Sequence, residues 1–142
     1  MSQSIFPNLV TNDIEATVAW YQHTLGAHMK MSVPSKTDPG KACFATVTVA
    51  ENDIMFQTVE NIEEKYPNLK GQVSIGYGVA LNIQVDDAQA VYDNLTDTSN
   101  IIAEPMNMFY GMREFTIKDP NGYILTIASM PGESQENNPA GE

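Results

Sequence analysis

The spacing of hydrophobic positions changes several times along this chain, and each change predicts an element. Ile5 to Thr11 is a short apolar-rich run that reads as a strand. Asn12-Asp13-Ile14-Glu15 then carries a helix start. A side-chain oxygen at Asn12 can accept from the first open N–H groups, and Glu15 three residues on can reach back, as in a capping box. Ile14, Val18, Tyr21 and Leu25 follow at helical spacing with Trp20 beside them, and Gly26 ends the helix where a left-handed residue is cheap. Ala27 to Val33 reads as a strand, Pro34 to Lys41 as a loop and Cys43 to Ala50 as a β-branched strand. Asn52-Asp53 reads as a turn, and Ile54 to Val59 returns as a strand. The first half is therefore β-α-β-β-β.

The same order of elements returns. Val79 to Val85 reads as a strand, and Asp86 with Gln89 repeats the pairing of Asn12 with Glu15. Ala88, Val91, Tyr92 and Leu95 repeat Ile14, Thr17, Val18 and Tyr21, all at an offset of 74 (86−12, 88−14, 95−21). Ile101 to Ala103 matches the strand after Gly26. Glu114 to Lys118 and Tyr123 to Ser129 form a hairpin across Asp119-Pro120-Asn121-Gly122. That turn follows Asn52-Asp53 by 69 (121−52), which makes the second half five residues shorter (74−69). Residues 60 to 76 connect the halves, with Ile62, Tyr66 and Leu69 expected in a short helix. The expected fold is α+β: two pseudo-symmetric β-α-β-β-β modules, 5–60 and 77–130, with helices outside a cup-shaped mixed sheet. Residues 131 to 142, with three Glu and no aliphatic side chain larger than Ala, are expected to be a disordered acidic tail.

Charge and composition narrow the function. Eighteen acids against seven bases give a formal net charge of -11. Phosphate backbones and anionic membranes are poor partners for such a chain, whereas a cationic ligand is tolerated. No apolar run approaches the ~18 residues of a membrane span. No basic n-region followed by an apolar h-region opens the chain, so the expected location is cytoplasmic. The single cysteine, Cys43, forbids an intrachain disulfide and any multi-cysteine zinc site. It reads as a buried small hydrophobe, and His23 and His28 as solvated or hydrogen-bonded side chains.

The segment from Asn8 to Gly26 resembles the opening signature of the vicinal oxygen chelate superfamily. That superfamily comprises the glyoxalase I, extradiol dioxygenase, and fosfomycin- and bleomycin-resistance proteins. The stretch from Arg113 to Ala128 resembles its last hairpin, with an Asp-Pro-x-Gly turn. The resemblance implies paired β-α-β-β-β modules wrapping a cleft, and a homodimer. It also implies that metal-dependent members place His or Glu at four inward positions, on the first and last strands of each module. Here those positions fall at Phe6 and Ala80 on the first strands and at Gln57 and Thr126 on the last. None can supply the imidazole or carboxylate that a catalytic divalent ion needs. Neither a metal nor another cofactor is expected.

Strand alternation then predicts what faces inward. Phe6, Asn8, Gln57, Asn82, Glu114 and Thr126 are expected to line the site, with Met108, Phe109 and Tyr110 as a flap made mobile by Gly111. Met adapts to irregular ligands, and aromatic rings stack on planar ones. Two classes of function stay open. One is a metal-free protein that sequesters a flat or cationic small molecule. The other is a lyase- or dioxygenase-like enzyme, for which Glu114 is the only candidate acid or base.

Overall fold

A computed structural model describes residues 3–130, so the expected tail lies outside the described residues. Between Gly76 and Tyr77 the chain divides into two compact units, each with one four-stranded mixed sheet.

In the first unit, β1 (Asn8–Thr11) leads to α1 (Ile14–Leu25), then β2 (His28–Pro34), β3 (Ala42–Val49) and β4 (Asn52–Thr58). The sheet order is β1-β4-β3-β2, with β1 and β4 parallel and the other pairs antiparallel. The apolar stripe of α1 packs on the sheet as expected: Ile14, Val18 and Tyr21 are buried, and the Tyr21 ring lies 5.1 Å from that of Phe56 on β4. Gly26 ends the helix in the left-handed region (φ 65°). The cap sits one residue later than expected. Asp13, not Asn12, accepts from Ala16 N–H at 3.0 Å. Glu15 does not close a box; its carboxylate takes the N–H of Ala42 at the start of β3.

Three further boundaries differ. β1 begins at Asn8 because Pro7 has no N–H to give a ladder, so Phe6 lies ahead of the strand; Pro7 still accepts from Met55 N–H. The β3–β4 turn falls on Ala50 and Glu51, both at positive φ (48° and 69°), and Asn52 already belongs to β4. Two successive left-handed residues are what a tight hairpin requires, and here they override side-chain preference. Val59 leaves the sheet and opens α2 (Val59–Lys65), which a 3₁₀ turn at Pro67–Leu69 follows.

In the second unit, β5 (Ala80–Gln84), α3 (Ala88–Asp93), β6 (Ile101–Asn107), β7 (Arg113–Lys118) and β8 (Ile124–Ser129) repeat the order, with the sheet running β5-β8-β7-β6. Asp87, not Asp86, caps α3 through Ala90 N–H, so the true caps, Asp13 and Asp87, keep the offset of 74 (87−13). Gln89 turns to Arg113 instead of closing a box. The helix stops after six residues, leaving Leu95 outside it. Tyr92, at the position that repeats Val18, meets Phe115 of β7 at 5.4 Å, so the second unit makes its helix-to-sheet ring contact from a different position than Tyr21 on Phe56. The Asp119–Gly122 turn is held by the buried Asp119 carboxylate, which accepts from Asn121 and Tyr123 N–H. Gly122 (φ 89°) matches Glu51, so the offset across the last hairpin is 71 (122−51) rather than 69. The second module is three residues shorter than the first (74−71), not five.

Candidate functional site

Each sheet has one face covered by its helix and one face turned away. In the first unit Leu9, Phe56, Ala45 and Val47 are buried on the α1 side. Alternation sends Asn8, Met55, Gln57, Phe44 and Thr46 to the other side, where the ladder sets Phe44 beside Gln57 and Thr46 beside Met55. In the second unit Ile83, Phe115, Ile117, Leu125 and Ile127 are buried, and Asn82, Thr126, Thr116 and Glu114 alternate against them.

The two open faces carry different chemistry. On the first, Asn8 Nδ2 donates to Gln57 Oε1 at 2.8 Å, and Gln57 Nε2 donates to Asn61 Oδ1 at 2.6 Å. Gln57 is 8% exposed, so this is a mostly buried amide held at both ends. Asn61 belongs to α2 and was not expected at the site. Its backbone N–H is bonded to Thr58 Oγ1, the cap of α2, which brings a residue four positions past Gln57 back over the strand end. A Thr followed three residues later by Asn was the available signal, but β4 was expected to run on through Val59.

On the second face, Asn82 stands opposite Thr126, and the Thr116 and Thr126 hydroxyls are 3.0 Å apart. Glu114 is half-buried opposite Ala128, one step along from Thr126. Hydrogen bonding toward Glu114, then burial and the carboxylate charge, raises the Tyr110 pKa above the ordinary phenol value. Glu114 thus acts on Tyr110, Asn8 bonds to Gln57, and Asn82 is set beside Thr126 in the ladder. Phe6, half-exposed ahead of β1, is not part of either sheet.

The strand ahead of the expected flap runs further than the sequence suggested. β6 takes in Pro105, Met106 and Asn107, which an outer strand permits because its outward N–H has no partner. What is left, Met108 to Met112, is a hairpin tip closed by Met108 N–H to Met112 C=O (2.7 Å) and Gly111 N–H to Met108 C=O (2.9 Å). Phe109 stands 85% exposed on that tip, edge-on to Tyr110 at 5.0 Å.

The ladders also correct the pairing of the four inward positions. Asn8 registers with Met55 and Asn82 with Thr126, so Met55 is the counterpart of Thr126, and Ala128 that of Gln57. With Phe6 and Ala80, this set offers thioether, amide and hydroxyl groups but no imidazole or carboxylate. It does not fit a catalytic divalent ion. Among the described residues, no three His, Cys, Asp or Glu side chains come together as a metal-binding group. An open cleft of 210 Å³ lies elsewhere in the first unit, between Asn12, Thr37, Lys41, Cys43 and Glu60, and none of the expected site residues lines it.

Among solved structures, TioX from Micromonospora sp. ML1 is similar over 92% of this chain and 98% of its own, with 14% identity and a TM-score of 0.69. A glyoxalase/bleomycin resistance protein/dioxygenase family enzyme from Burkholderia phytofirmans PsJN covers 88% and 96%, with 21% identity and a TM-score of 0.69. A protein of unknown function from Agrobacterium tumefaciens str. C58 covers 91% and 94%, with 17% identity and a TM-score of 0.73. At these identities the likeness is one of fold. No curated protein matches the chain in sequence. The family model for the Glyoxalase/Bleomycin resistance protein/Dioxygenase superfamily matches residues 5–127, nearly the whole described chain, and the chain belongs to that superfamily.

Proposed function

We propose that this chain binds a small molecule without a metal, in the manner of bleomycin-resistance-like members of its superfamily, and sequesters a flat or cationic ligand. The observation that carries the reading is the donor set: none of Phe6, Met55, Gln57, Ala80, Thr126 and Ala128 can bind a catalytic divalent ion as imidazole or carboxylate. In this reading Asn8, Gln57, Asn82, Glu114 and Thr126 orient the ligand. Phe6, Met108, Phe109 and Tyr110 supply apolar area. The protein acts as a homodimer in the cytoplasm.

The test is a thermal-shift screen of the purified protein against cationic aromatic compounds, with metal analysis alongside. A true ligand stabilises the fold by ~2.7 kcal/mol at a hundredfold excess over its Kd. Replacing Phe109 and Tyr110 together by Ala abolishes that shift and leaves the unliganded protein folded. Stoichiometric Zn, Ni, Mn or Fe that survives dialysis overturns the reading.

A second reading, a lyase- or dioxygenase-like enzyme, is favoured by one observation only, the upward pull of Glu114 on the Tyr110 pKa. A carboxylate paired with a phenol can hold and pass a proton. Turnover of a small substrate that Glu114→Gln abolishes without loss of binding would select this reading.

A further inference from the structure

The amides of Asn8, Gln57 and Asn61 run head to tail. Such a chain always ends in one C=O and one NH₂ that its members do not use. As placed, the acceptor is Asn8 Oδ1 and the donor is Asn61 Nδ2. The middle amide, Gln57, is more than nine-tenths buried, which fixes the chain in place. The strand positions beside it are apolar or hydroxylic: Phe44 across the ladder, then Thr46 and Met55. The charge on this face is Asp53, four residues down β4 or about 13 Å away, and Lys30 already pairs with it at 2.8 Å. Among the described residues no charge stands on the sheet beside the amides; on α2, Glu64 and Lys65 follow Asn61 by three and four residues, and Glu64 is engaged with Lys36 at 3.8 Å.

We propose that Asn8, Gln57 and Asn61 form a recognition element for an uncharged amide-type group (a carboxamide, lactam or urea) on the ligand. This rests on the small-molecule binding reading and departs from it in one respect: the group read here is neutral. An amide carries its own donor and acceptor, so it extends the chain at either end. An ammonium suits only the acceptor end and a carboxylate only the donor end, and each brings a charge to a half-buried, uncharged row. Asn61 is the specificity-determining residue, and Gln57 is a positioning residue that aligns its two neighbours.

Three probes with the same flat body distinguish the possibilities: benzamide, benzamidine and benzoate. The readout is the side-chain NH₂ signals of Asn8, Gln57 and Asn61 in ¹⁵N-correlated spectra of the full chain. Benzamide is expected to move these signals saturably, and the two ions are not. Asn61→Ala weakens benzamide binding about tenfold, the loss of one well-made hydrogen bond. Asn61→Asp, which turns the donor end into a carboxylate, transfers the preference to benzamidine. The backbone signals of the same spectra report whether each variant is folded. If benzamidine moves these signals more than benzamide does in the unmodified protein, the neutral-group inference falls and binding of a cationic ligand stands. If none of the three moves them, the inference falls whatever the chain binds elsewhere.

Discussion

The first unit anchors a twelve-residue helix with a fully buried Tyr21, while the second anchors a six-residue helix with a half-buried Tyr92. The two anchors meet Phe56 and Phe115 at nearly the same distance, 5.1 and 5.4 Å. The strand order, the parallel first-and-last pairing and the aspartate caps are common to both units. The faces turned away from the helices share little: a chain of amides on one, paired hydroxyls and a Glu–Tyr contact on the other. Packing against the helix constrains one face of each sheet, and the other face is left to change its chemistry while the fold persists. The helix itself can lose half its length, provided one aromatic still reaches the sheet.

The largest expected effect tests the two anchors. Tyr21→Ala is expected to cost about 3–5 kcal/mol by urea denaturation, the usual range for emptying a buried aromatic site. Tyr92→Ala, in a half-buried site, costs about 1–2 kcal/mol. Equal losses would show that the short helix is as firmly seated as the long one.

The two hairpin turns invite a swap of opposite sign. Gly122→Ala puts a Cβ 2.7 Å from the Tyr77 ring at a φ of 89°, and is expected to destabilise by about 1–3 kcal/mol. Glu51→Gly at the matching position relieves a left-handed non-glycine residue and gains up to about 1 kcal/mol. Thermal melts read both, and a loss at position 51 would break the correspondence of the turns.

Caps come next in size. Asp13→Ala and Asp87→Ala each cost about 1 kcal/mol, while Asn12→Ala stays within ~0.5 kcal/mol of zero. A larger loss at Asn12 than at Asp13 would restore the cap position that the sequence pattern suggested.

The smallest effect concerns titration. The Tyr110 pKa is raised by its bond to Glu114, so the bond's contribution is present below the ordinary phenol value and is lost as pH rises through the elevated one. Glu114→Gln should bring the Tyr110 midpoint back down in an absorbance titration of the phenolate. An unchanged midpoint would remove the contact that distinguishes the second face.

Periodicity revealed most of the helix-covered side in advance. Leu9, Ile83, Phe115 and Ile117 alternate with polar neighbours, and α1 shows its stripe outright. Boundaries set by the backbone were harder to see. Ala50 and Glu51 are poor turn residues by type and Asn52-Asp53, two positions later, are good ones, so side-chain preference misplaces the hairpin and makes the module offset two residues short. Pro7 ended β1 early and detached Phe6 from it. Asn61 is not legible in the pattern because its place depends on where β4 stops and α2 starts, and no side-chain alternation reports that. The polar row on the second face was legible from parity alone, but the bond from Tyr110 to Glu114 depends on how the hairpin tip closes.

β2 and β6, the antiparallel outer strands of the two sheets, are both irregular. Each shifts register twice along its partner, and each contains a proline, Pro34 in one and Pro105 in the other. A long flat edge with an unbroken row of N–H and C=O groups is a template on which further chains stack into fibrils. Here the row is interrupted on both strands, at a proline with no hydrogen to offer and at each register shift. Met29, Met31, Ile102 and Met106 can therefore stand open to water on these strands without seeding cross-β aggregation in a crowded solution.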